Sequence, residues 1–354
     1  MNVTFDGTLL GNGKTITVTG NCAAIGKIGE HGVVSNVIVA GNVSTGSFAY
    51  IGALANTNNG KVENVLSTAL VTSTAGLVAD LSTEELGGAG GIVGLNDVKG
   101  TINNVTYQGN SGDSTTGVVK ANIGGGGIVG TNKGVITNAT NKGCLGAYNS
   151  TESGKSLSKY SYSGGIAGFN YGEISQSTTN GAGKILFQRA ASDSGAVEFN
   201  NVGAGGIVGY NKVGAKVTTS YFEGIRIHAD QAVGGIVGIN AGEVSYCYSN
   251  GRYVSSISSR SYVAGRKEVG GIVGRLESTG TVITQQTSLL IAMMLKQLQK
   301  VQQIAFMSLQ TQIQIQLGQS QIVLHQRQIA QLLQLVQIMF QLHLQFLKEQ
   351  KVLH

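Results

Sequence analysis

The sequence predicts an all-β protein: a right-handed parallel β-helix over residues 1 to about 284, followed by a Gln-rich C-terminal tail. Three observations predict it. A Gly-Gly-Ile-Val-Gly unit recurs through the chain, an Asn follows it at a fixed offset, and a short β-branched stretch follows each turn glycine. Self-similarity at a period of a few tens of residues marks a stack of coils.

Six clear copies begin at Gly90, Gly126, Gly164, Gly205, Gly234 and Gly270. Each places an isoleucine third, giving Ile92, Ile128, Ile166, Ile207, Ile236 and Ile272. Five place Asn two residues after the last glycine, at Asn96, Asn132, Asn170, Asn211 and Asn240. A turn glycine follows at Gly100, Gly134, Gly172, Gly214, Gly242 and Gly280, then an apolar residue at Ile102, Ile136, Ile174, Val217, Val244 and Val282. Two weaker copies precede these, around Gly52-Ala53-Leu54-Ala55-Asn56 and Ile28-Gly29-Glu30-His31-Gly32.

A Gly-flanked Ile-Val is too short for a helix, and glycine is costly inside one. β-Branched residues favour strands. One unit cannot bury its own apolar side, so units must stack, Ile on Ile, at about 4.8 Å. The Asn series is expected to form a ladder along the stack. The glycines are expected to supply positive φ at the corners. Extra residues in the longer copies fall just before Gly-Gly and read as loops on one side of the stack. A β-sandwich is the alternative fold, but it calls for paired hairpins rather than copies this similar.

Composition narrows the classes. The 354 residues include 54 glycines, no proline and no tryptophan, which excludes collagen and Pro-rich linkers. Net charge is +6, with Lys296, Lys300, Arg327, Lys348 and Lys351 in the last stretch. No dense basic block with interleaved aromatics argues for nucleic acid. Cys22, Cys144 and Cys247 form neither a disulfide framework nor a zinc motif and read as small packed residues. Met1-Asn2-Val3-Thr4-Phe5-Asp6 is not a signal peptide, so a secreted parent would carry its signal upstream. No uninterrupted apolar span argues for membrane insertion.

The recurring unit resembles the GLUG motif of bacterial cell-surface proteins, including adhesin-like and immunoglobulin A peptidase-like proteins. Phe5-Asp6-Gly7-Thr8-Leu9-Leu10-Gly11-Asn12-Gly13-Lys14-Thr15-Ile16 is similar to the element that precedes such repeats, with Leu10 where Asp is usual. The resemblance covers residues 1 to about 284. It implies a β-helical stalk or adhesive region at the cell surface or outside the cell, with a glycan or protein ligand, and no catalytic activity.

Site chemistry is sparse. Gly13-Lys14-Thr15 lacks the upstream glycine of a phosphate loop. Gly124-Gly125-Gly126-Gly127 has no following helix or acidic partner for a nucleotide. No H-E-x-x-H zinc pattern occurs, and His31 and His228 stand alone. Asp6, Asp80, Asp97, Asp113, Asp193 and Asp230 do not recur at one repeat position, so no calcium-binding repeat is present. No cofactor is expected. A polysaccharide lyase or hydrolase is the rival function, and it needs paired carboxylates. Adjacent acids occur at Glu84-Glu85 alone. A purely structural spacer is the third reading. Tyr221-Phe222, Tyr246 and Tyr248 are the candidate ligand contacts, with stacking along the solenoid as their structural alternative. The open ends of a stack predict edge association.

From Gln285 onward Asn and Asp vanish and Gln dominates, with Gly318 the one remaining glycine. A helical or coiled-coil tail and a disordered one are open. So is a shifted reading frame, because a Thr codon ACA followed by A contains the Gln codon CAA out of frame. In that case the tail has no defined role, and alternating stretches such as Gln312-Ile313-Gln314-Ile315 favour aggregation.

Overall fold

A computed structural model describes residues 3–283, apart from 47–49, 74–86, 110–118, 122–123, 148–159, 181–183, 187–200, 225, 230, 251–261 and 266. The chain divides into two units, Met1–Thr284 and Gln285–His354. The Gln-rich tail, with its helical, disordered and shifted-frame readings, lies outside the described residues.

The first unit is a parallel β-helix. Among the described residues every strand pair is parallel, and the strands form three sheets. Sheet 1 holds the Val-Gly-x-Asn segments, Val93–Asn96, Val129–Asn132, Ala167–Asn170, Val208–Asn211 and Val237–Asn240, stacked in chain order. Sheet 2 holds the segment after the turn glycine, such as Thr101–Tyr107, and a short segment beyond it, such as Leu145–Ala147. Sheet 3 holds the residues just before the corner, such as Gly88–Gly90 and Gly124–Gly126. One coil therefore runs from sheet 3 through a Gly-Ile corner to sheet 1, then through a turn to sheet 2. Successive ladder asparagines are 29 to 41 residues apart, which sets the coil lengths.

The extra residues of longer coils enter at two points. Segments 74–86, 148–159 and 187–200 fall directly before sheet 3, as the sequence suggests. Segments 110–118 and 251–261 fall one step earlier, before Val119–Ala121 and Tyr262–Ala264.

The isoleucines sit at the corner, and each is bonded through its backbone to the next. Ile92 N donates to Ile128 O (3.1 Å), Ile128 N to Ile166 O (3.1 Å), Ile166 N to Ile207 O (2.9 Å), Ile207 N to Ile236 O (2.9 Å) and Ile236 N to Ile272 O (2.9 Å). The first five are fully buried, and Ile272 in the terminal coil is partly buried against the same core. Sheet 2 adds a facing row: Val34, Val62, Ile102, Ile136, Ile174, Val217 and Val244.

The glycines act differently from the expectation that they give positive φ. Among the motif and turn glycines, positive φ occurs at Gly214 alone. Most of the rest are glycine because backbone comes too close for a Cβ, Gly271 in the last described coil being the open one. At Gly94 a Cβ would lie 2.5 Å from Ile51 N, and at Gly209 it would lie 2.7 Å from Ser163 N. The second glycine of these pairs meets a sheet 2 side chain as well as the next coil's backbone: Tyr107 and Gly127 O at Gly91, Asn141 and Gly165 O at Gly127, Thr179 and Gly206 O at Gly165, Phe222 and Gly235 O at Gly206. Sheets 1 and 3 thus approach through bare backbone, and a second apolar cluster of Tyr162, Phe169, Ala232 and Ile239 fills the space beside them.

Positive φ belongs to another row, midway along sheet 2. Asn36, Asn64, Asn104, Asn138, Gln176, Thr219 and Tyr246 all adopt it, with φ between 47° and 55°. Strict alternation would turn Val105 outward after inward Ile102, because side chains alternate faces. The left-handed residue Asn104 resets the alternation, so Ile102, Val105 and Tyr107 all point in, at 1%, 1% and 0% exposure. Asn tolerates this conformation better than most residues. In the later coils Ser177, Ser220 and Cys247 occupy the inward place beside it. Ser177 Oγ accepts from Ala139 N, and Ser220 Oγ accepts from Ser177 N.

The inward row Tyr107, Asn141, Thr179 and Phe222 is of mixed polarity. Thr179 is fully buried and its hydroxyl has no partner. Replacing it with the near-isosteric valine removes that desolvation cost, so Thr179→Val should raise stability by about 1 kcal/mol. A thermal melt checks this, and a lower melting temperature would refute it.

Candidate binding surface

The ladder asparagines are fully buried and bonded end to end. Asn96 Nδ2 donates to Asn132 Oδ1 (2.8 Å), Asn132 to Asn170 (2.8 Å), Asn170 to Asn211 (2.9 Å) and Asn211 to Asn240 (2.8 Å). The ladder begins one coil earlier than the sequence reading, at Asn58, which donates to Asn96 Oδ1 (2.8 Å). In that weaker copy Asn56 takes the place of the last glycine, and Asn58 is the residue in register with Asn96. The ladder ends at Asn240, because its partner in the last described coil is Leu276; Asn240 Nδ2 keeps the bond that the earlier amides also make to the next coil's backbone, here to Thr281 O (3.0 Å). Each amide also binds backbone around its turn, as Asn170 does with Gly172 O (3.1 Å) and Lys216 O (3.1 Å). Asn170→Ala would leave Asn211 Oδ1 and Gly172 N–H short of a partner and should cost about 2 kcal/mol. A denaturant titration measures it, and a change within experimental error would discount the ladder as a source of stability.

With these rows turned inward, the outer face of sheet 2 is the surface that differs from coil to coil. Its first outward row reads Lys61, Thr101, Val135, Glu173, Lys216, Glu243. Lys61 pairs with Glu63 (2.8 Å) and Lys216 with Glu173 (3.9 Å). Exposed pairs of this kind contribute little to stability. The left-handed row runs alongside, and Asn104 Nδ2 donates to Asn64 Oδ1 (2.6 Å). Beyond it lies an outward row of Leu66, Thr106, Thr140, Thr178, Tyr221 and Tyr248.

Tyr221 and Tyr248 stack on each other, with ring centroids 5.0 Å apart and planes within 3°. Phe222, next to Tyr221 in sequence, points the other way and is buried against Gly206. Tyr248 OH donates to Glu223 Oε1 (3.3 Å). Burial first, then the charge of Glu223, pushes the Tyr248 hydroxyl up to about 12. Tyr246 is 50% exposed in the left-handed row.

The remaining candidates are dispersed. His31 is exposed in the turn before Val33, and His228 closes the strand Arg226–His228. Lys14 and Thr15 lie in the strand Thr8–Gly20, beside a bulge between Leu10 and Lys14. Asp80, Glu84, Glu85, Asp113, Asp193 and Asp230 lie outside the described residues. Among the described residues no group of three or more His, Cys, Asp or Glu is placed to hold a metal, and no helix is long and apolar enough to cross a membrane.

Cys247 occupies the inward place held by Ser177 and Ser220 in earlier coils, and its thiol donates to Ser245 O (3.3 Å). Burial pushes that thiol up to about 11, against backbone hydrogen bonds that lower it. Its folded value exceeds the unfolded one of about 8.5, so its contribution is complete below that pH and lost as pH rises toward 11. Stability should fall more steeply across pH 9–11 in the native chain than in Cys247→Ser, as followed by alkaline denaturation; equal slopes would contradict it.

The stacked parallel coils and their internal rows define a β-helical repeat protein. Comparison with protein-family models, curated proteins and solved structures finds no match to this chain.

Proposed function

We propose that this chain is a non-catalytic module of a bacterial cell-surface or secreted protein, acting as an adhesive or stalk region. One observation carries the reading. The recurring residues of the motif are committed to packing: nearly all the glycines to close backbone approach, the isoleucines to the core and the asparagines to the ladder. What varies between coils is the outer face of sheet 2, as on solenoids that present an extended binding surface. The resemblance to GLUG-motif proteins supports the location at the surface or outside the cell.

The test pairs an oligosaccharide array with a release assay on acidic polysaccharides. Binding without release supports an adhesive module. Release of products, abolished by changing a carboxylate, would overturn it in favour of a lyase or hydrolase. Silence in both assays would leave a spacer.

A further inference from the structure

We infer that Tyr221, Tyr246, Tyr248 and Glu223 form a platform on the outer face of sheet 2 for a neutral oligosaccharide, an inference that rests on the adhesive reading above. Among the described residues of these outward rows, aromatic rings are gathered here alone. The row that carries Asn64, Asn104 and Asn138 in earlier coils carries Tyr246 here. The row that carries Thr106, Thr140 and Thr178 carries Tyr221 and Tyr248.

Packing does not account for Tyr246. Its φ of 55° belongs to the left-handed region, which is unfavourable for a bulky side chain. The stack imposes that conformation on Gln176 and Thr219 as well, yet Tyr246 is the one aromatic residue in the row, and half of it lies open to solvent. An exposed large apolar ring in a strained site gains nothing from the core that would offset the strain. Tyr248 lies two residues on and stacks on Tyr221 (5.0 Å), which holds both rings in a fixed orientation.

The chemistry selects a sugar. A pyranose offers an apolar C–H face to an aromatic ring and a rim of hydroxyls to polar groups, and tyrosine matches both. Glu223, already accepting from Tyr248 OH (3.3 Å), supplies a further acceptor at the edge of the stack. On the neighbouring outward row Lys216 stands between Glu173 and Glu243, so with Glu223 the acids outnumber the base and the local charge disfavours uronates and sulfated sugars. Rings fixed beforehand cost little ordering on binding.

Neighbouring coils supply substitutions that their own positions already tolerate. Tyr246→Asn restores the residue of earlier coils, and Tyr221→Thr with Tyr248→Thr restores theirs. The full chain and these variants are titrated with cellohexaose and chitohexaose, then with a hexauronate. Tyrosine emission serves as one readout, since the protein has no tryptophan. The neutral hexasaccharides should bind the native chain, and the triple variant should bind at least tenfold more weakly at an unchanged melting temperature. The hexauronate should bind more weakly than either. If native and variant chains bind a neutral sugar equally, the platform is wrong while the adhesive reading stands. If the native chain binds neither an oligosaccharide on the array nor an extracellular-matrix protein, both the platform and the adhesive reading fail. Tyrosine-dependent binding to extracellular-matrix proteins, without any to sugars, would overturn the sugar assignment.

Discussion

Alanine at Gly168 should break the stack in its middle. A Cβ there would lie 2.8 Å from Gly125 N, 2.9 Å from Gly124 C and 2.9 Å from Gly130 O. All three are backbone atoms of the preceding coil, held by parallel ladders on both sides, so no side chain can swing away. Relief requires sheets 1 and 3 to separate at that coil, and the cost should be about 3 kcal/mol or more. Gly271 in the last described coil is the control: among the described residues no heavy atom lies within 4 Å of a Cβ built there, and its φ is not in the left-handed region. Gly271→Ala should be close to neutral. Thermal melts of the two variants decide it. Equal effects would mean that the glycines answer to backbone conformation rather than to close approach.

Ile236→Ala should cost about 2–5 kcal/mol, because it removes a fully buried side chain from a row whose neighbours are pinned by backbone hydrogen bonds. The corner cannot collapse into the void without stretching the Ile207–Ile236–Ile272 ladder. Ile272→Ala, one coil further on and partly exposed, should cost markedly less. Stability in a solenoid is close to a sum of coil and interface terms, so the loss at Ile236 should appear as early opening of the adjoining coils. Chemical denaturation with hydrogen exchange locates it. A loss at Ile272 equal to that at Ile236 would show that the row is not graded by burial.

Much of the fold was legible because a solenoid repeats its constraints. Ile92, Ile128, Ile166, Ile207 and Ile236 recur at the same offset because each corner encloses the same space. The asparagines recur because each turn presents the same unsatisfied backbone. Asn58 is not legible in the sequence because Asn56, standing where other coils have glycine, looks like the motif asparagine. The left-handed row is hidden in the sequence for a different reason. It breaks the alternation on which strand reading depends, and its residue changes from Asn104 to Gln176 to Thr219 to Tyr246, so no single letter marks it. Its trace is the three-residue step from Ile102 to Val105, which a period-two search reads as a fault. The aromatic patch was visible as Tyr221, Tyr246 and Tyr248, but the opposite facing of Phe222 was not.

By itself the sequence determined a parallel stack, its coil boundaries and its inward Ile row, because these follow from local propensity and an offset counted along the chain. Only the tertiary structure decided why the glycines are glycines. Close approach of Gly168 to Gly124 and Gly125 joins residues more than forty positions apart, and a sequence does not record distances across coils. The same holds for the outer face. Tyr221 and Tyr248 are neighbours because one coil sets them in register, and Tyr246 stands beside them because a left-handed residue turns the strand at that point.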